Sequence, residues 1–129
     1  MSVLVAVLLA LAAGGGPAPA APAPEAVVLG IAQDGGVPHL GCRQAFCIEA
    51  RRDPSKRRLV ASLGLIDPAA GKRFVIDATP DFPEQVGRLG GLPDAILLTH
   101  AHIGHYLGLA QLGREVLGAK RLPVYCTAS

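Results

Sequence analysis

Tryptophan is absent from this chain, and its 129 residues include only two tyrosines and three phenylalanines. Stacking platforms of the kind that hold single-stranded bases are therefore not expected. Charge of one sign is also missing: twelve basic against ten acidic residues give a formal net charge of +2, and charged residues make up only 17%. That balance names no polyanionic partner, so no nucleic-acid binding is expected. Nor is there an apolar run long enough for a bilayer. Val3 to Ala13 ends at Gly14-Gly15-Gly16, well short of the ~20 residues a spanning helix needs, so stable membrane insertion is not expected. What remains, with half of the residues hydrophobic, is the composition of a packed α/β segment.

The chain divides into two parts. Residues 1–26 combine the short apolar run with an alanine- and proline-rich tract, which reads as a signal peptide followed by an extended leader. Ala18-Pro19-Ala20 offers a small-x-small cleavage pattern, whereas no lysine or arginine precedes the apolar run. The expectation is export to the periplasm or beyond, with the cytoplasm as the alternative if the leader is not a signal. Residues 27–129 form the partial domain that carries the chemistry.

Within that domain the pattern predicts strands over Val27–Ala32, Ala45–Ala50, Leu59–Ile66, Arg73–Ile76 and Asp94–Thr99, and a last one within Leu122–Ser129 holding a buried Cys126. The second and third are expected to form a hairpin whose basic tip spans Arg51 to Arg58. Helices are predicted over Phe82–Leu89, with Asp81 as its cap, and over Tyr106–Leu117. Asp34-Gly35-Gly36 lacks a phosphate-binding fingerprint and reads as a tight loop near the pocket.

Three of the four histidines lie in Thr99-His100-Ala101-His102-Ile103-Gly104-His105. Residues two apart on an extended strand project to one side, so His100 and His102 aim at a common point, and a turn at Gly104 returns His105 toward it. Imidazoles gathered this way at the carboxyl end of a strand are candidate metal ligands. Asp77, after the preceding buried strand, is placed either to cap a turn or to orient one of them through its second ring nitrogen. A second constellation, His39-x-x-Cys42-x4-Cys47, suits either a structural metal with a fourth ligand from elsewhere or a disulfide.

The run His100-Ala101-His102-Ile103-Gly104-His105 resembles the His-x-His-x-Asp-His signature of the metallo-β-lactamase fold, an αββα sandwich of metal-dependent enzymes. Phe74 to Asp81 is similar to the strand and loop that precede that signature. Val28 to His39, with Cys42 and Cys47, resembles the opening of the branch related to pyrroloquinoline quinone biosynthesis protein B. The resemblance implies the amino-terminal half of such a sandwich, with one or two zinc ions, or iron, held by His100, His102 and His105. It also raises the structural-metal alternative for His39, Cys42 and Cys47.

Two departures stand out. Gly104 occupies the position of the signature aspartate and cannot ligate. The family also draws further histidine and aspartate ligands from the second half of its fold, and residues 106–129 contain neither residue type. The chain therefore reads as part of a longer protein.

The implied chemistry is hydrolysis of a small-molecule substrate by metal-activated water, with an iron-dependent oxidation related to quinone biosynthesis, or a metal-free accessory module, as alternatives. No catalytic acid or base can be named, and pairing of two copies remains open.

Overall fold

The computed structural model describes residues 21–127. The expected signal sequence falls largely on residues 1–20, outside the described residues, and 21–24 are exposed and irregular. Among the described residues no helix is long and apolar enough to cross a membrane.

Five strands form one mixed sheet in the order β1 (Glu25–Gly30), β2 (Ser62–Asp67), β3 (Lys72–Ile76), β4 (Ala95–Leu97) and β5 (Val124–Tyr125). The first two pairings are antiparallel and the last two parallel. The β2–β3 hairpin closes where Asp67 Oδ1 accepts from the Ala70 amide, with Gly71 at φ 63°, a left-handed conformation glycine adopts without a Cβ penalty. A parallel β3–β4 pair requires a crossover, and α2 (Phe82–Leu89) supplies it. At the near end of that pair, the Lys72 ammonium and then the Arg73 amide hold the Asp94 carboxyl below its ordinary value. This clip is therefore in place at neutral pH and is lost as pH falls through that lowered value.

One face of the sheet is the core. Leu29, Val75 and Ile96 are fully buried there against Phe82 and Leu89 of α2. Gly64, paired across the sheet with Val27 and Val75, leaves the space that Leu89 fills: a Cβ at this position would collide with the Leu89 Cδ1 methyl. The opposite face presents a register row running Val28, Leu63, Ile76, Leu97 and Tyr125 across all five strands. Four of these five side chains are exposed. The described residues thus make a one-sheet α/β layer with helix packed on one face and an apolar second face, as expected for part of an αββα sandwich.

Several expectations need correction. Ala45–Ala50 is not a strand but the start of α1 (Ala45–Arg52). Its buried residues, Cys47 and Ala50, are three apart, the helical spacing, and Pro54 limits it at the far end. There is consequently no hairpin between 45–50 and 59–66; β2 pairs with β1 and β3 instead. The basic segment is not simply a solvated tip, because Arg51 donates to the backbone carbonyls of Cys42 and His39.

The helix expected over Tyr106–Leu117 is a short α3 (Ile103–Tyr106) continued by a 3-10 turn over Leu107–Leu112. Cys126 lies beyond β5 and is exposed, because β5 is only two residues long at the sheet edge.

The helix Phe82–Leu89 matches expectation, but Asp81 does not cap it through its side chain. Its Oδ2 accepts from the Val60 amide at 2.8 Å. That bond belongs to a buried network in which Gln85 Nε2 donates to the Val60 carbonyl and Thr79 Oγ1 donates to Gln85 Oε1, each at 2.7 Å. Replacing Gln85 by Leu strands the Val60 carbonyl and the Thr79 O–H donor, whose oxygen still accepts from the Asp81 amide. Gln85→Leu is expected to cost about 1–3 kcal/mol for each stranded group, measured by urea unfolding; an unchanged midpoint would contradict this account of the network.

Candidate metal centre

The sheet topology decides which loops meet. Since β1 is antiparallel to β2 and β2 to β3, the strands β1, β3 and β4 run the same way. Their carboxyl ends share one edge of the sheet. The loop bearing Asp34 follows β1, Asp77 follows β3, and the histidine segment follows β4. This is the edge at which open α/β sheets place ligands.

Asp77 is the junction. It is 6% exposed and has φ 68°, a left-handed conformation in which aspartate is enriched among non-glycine residues. The turn directs its carboxylate across to the β4 loop. Oδ1 accepts from the Thr99 amide at 2.8 Å, the Thr99 hydroxyl lies 2.9 Å from both carboxylate oxygens, and Oδ2 lies 2.8 Å from His105 Nδ1. The Thr99 hydroxyl is also 2.9 Å from His100 Nδ1.

These contacts order the protons. A carboxylate only accepts, so His105 carries its proton on Nδ1. The single Thr99 proton goes to Asp77, and the lone pair left on that oxygen accepts from His100 Nδ1–H. Both rings then turn an Nε2 lone pair away from Asp77, as carboxylate-oriented metal-binding histidines do.

The structure brings His100, His102 and His105 together. His100 Nε2 lies 3.0 Å from His102 Nδ1, and the His100 and His105 ring centroids are 4.1 Å apart. Two nitrogens bound tetrahedrally to one zinc at ~2.05 Å would lie ~3.3 Å apart, so the facing pair fits a shared ion with little adjustment. Both are exposed, and His102 lines an open cleft of about 580 Å³ together with Ala32 to Val37, His39 and Phe46.

Asp34 closes the other side. A Cβ on Gly104 would fall 2.5 Å from the Asp34 Cα and 2.8 Å from its Cγ, so a side chain at 104 and this loop are mutually exclusive. Asp34 Oδ1 stands 3.4 Å from His105 Nε2. The sequence placed Asp34 near the pocket without a role, and did not single out Thr99. The available signals were a carboxylate followed by two glycines after the first strand, and a hydroxyl immediately before the first histidine.

His39, Cys42 and Cys47 also gather, their ligand atoms lying within 4.8 Å of one another. The Cys42 and Cys47 sulfurs stand at disulfide distance, and the same three residues form a group that could hold a metal ion, so both alternatives for this constellation stand.

No family model matches the chain. Among curated proteins it is 40% identical over 77% of its length to an octanoyltransferase from Porphyromonas gingivalis, of which it covers 20%. It is 33% identical over 67% of its length to coenzyme PQQ synthesis protein B from Xanthomonas axonopodis pv. citri, of which it covers 32%. Among solved structures it superposes on a diphosphatase of the PhnP family with a TM-score of 0.61 and 38% identity, and on zinc-bound PqqB from Methylobacterium extorquens with a TM-score of 0.64 and 28% identity. Each superposition covers 79% of this chain, but 41% and 36% of the respective structures. The chain thus spans well under half the length of each of these relatives, and a match to one fifth of a transferase does not carry the transferase name with it.

The Asp77 geometry can be tested directly. Asp77→Ala removes the acceptor for Thr99 and His105 and puts a Cβ-bearing residue without a local acceptor at positive φ, and is expected to cost about 3 kcal/mol or more. Asp77→Asn keeps one acceptor oxygen and tolerance of that φ, so its cost should be about half. Equal, small losses in urea unfolding would show that Asp77 does not hold the loop.

Proposed function

We propose, for a chain whose relatives are PqqB-like and PhnP-like proteins of the metallo-β-lactamase fold, that the protein is a metal-dependent hydrolase. In this proposal His100 Nε2 and His102 Nδ1 hold a zinc ion beside His105. The observation that carries the reading is the convergence of those two nitrogens at 3.0 Å, with the His100 Nδ1 proton held from behind by Thr99. Zinc is supported by the zinc-bound PqqB relative. Hydrolysis, and a diphosphate or phosphoester as the bond cleaved, are supported by the diphosphatase relative.

The residues divide the work. His100 Nε2 and His102 Nδ1 would hold the ion, and Thr99 and Asp77 keep the His100 proton on Nδ1, so that this ring does not turn an N–H toward it. A zinc ion held by these residues would supply Lewis-acid activation of water near neutral pH. The loop from Gln33 to Val37, with His39 and Phe46, walls the cleft and is the part of this chain that would contact substrate.

The test is elemental analysis of the purified protein beside a His100→Ala/His102→Ala double variant. The unaltered protein is expected to retain metal through dialysis against a weak chelator and the double variant to lose the ion assigned to this pair. Equal metal content in the two would sink the assignment.

A further inference from the structure

We propose that Asp34 replaces, in space rather than in sequence, the carboxylate that Gly104 lacks, so that Asp34 and His105 hold a second divalent cation beside the His100–His102 position. The inference rests on the metal-site reading above and adds a ligand from the loop after β1.

Three observations carry it. Position 104 has no room for a side chain because the Asp34 backbone and side chain already occupy that volume, with contacts of 2.5 to 2.8 Å to a Cβ built there. The carboxylate is thus delivered to the place where a side chain from 104 would begin. The loop comes from the end of β1, which lies on the same edge as the ends of β3 and β4.

The separation itself is the second point. Asp34 Oδ1 to His105 Nε2 is 3.4 Å. A charge-assisted hydrogen bond between imidazolium and carboxylate is usually ~2.7–2.9 Å, and the bond His105 makes to Asp77 is 2.8 Å. Two ligands on one tetrahedral zinc, at ~2.05 Å for nitrogen and ~2.1 Å for oxygen, stand ~3.4 Å apart.

The third point is access. His105 Nδ1 faces Asp77, which leaves Nε2 toward Oδ1 of Asp34, and the Asp34 side chain is 40% exposed and so open to an incoming ion.

The experiment counts cobalt(II) or zinc equivalents on the purified protein by chelator-competition titration and elemental analysis, with the cobalt absorption spectrum as a readout independent of activity. Four forms are compared: unaltered, Asp34→Asn, His105→Ala, and the two together. Asp34→Asn keeps the side-chain shape, and a thermal melt confirms that it folds.

The expected result is about two equivalents in the unaltered protein, one in each single variant, and no further loss in the double variant, since both residues serve one ion. An Asp34→Asn protein indistinguishable from the unaltered one, while His100→Ala/His102→Ala is depleted, overturns the Asp34 assignment and leaves the first position standing. A protein that takes up no metal in any form overturns the His100–His102 reading and this one with it.

Discussion

The carboxylate of Asp77 is the contact on which the rest of the site depends. It is buried, sits at a positive φ just past β3, and reaches the Thr99 amide, the Thr99 hydroxyl and His105 Nδ1. Burial of a charged group is tolerated when its lone pairs are used in this way. One side chain thereby ties two adjacent strand ends together and fixes the proton positions of two histidines. Without it, the β4 loop has no other side-chain partner that reaches both Thr99 and His105 among the described hydrogen bonds.

The packing beneath exists to hold that edge in place. Leu89 lies over Gly64, and Leu29, Val75 and Ile96 bury a common face, so the crossover helix α2 fixes β3 beside β4. The Gln85, Thr79 and Asp81 network pins the segment after β3 to Val60. With β3 and β4 parallel, their carboxyl ends lie next to each other, and Asp77 faces the histidines across the gap. The second face, with its apolar row, faces away from this helix and agrees with the partial coverage of the relatives' structures.

How much of this was legible in the sequence follows physical lines. The histidine cluster, the strand before it, α2 and the place of Asp77 beside the histidine segment were readable, because each rests on local periodicity or on spacing within one element. α1 was missed because Phe46 and Ile48, exposed hydrophobics, gave the segment a strand-like apolar pattern while its true buried positions are three apart. Asp81 was read as a cap because sequence shows its neighbour helix but not Val60, which is brought to it by tertiary packing. The same holds for Asp34 and Gly104: they are seventy residues apart in the chain, and only the shared edge of the sheet brings them into contact.

The proton order around Asp77 is the central claim, and histidine tautomers can be read directly by long-range nitrogen-15 NMR of the imidazole rings at a pH where they are neutral. The account predicts that His100 and His105 both carry the proton on Nδ1 and leave Nε2 bare. A predominant Nε2–H tautomer at either residue would contradict it.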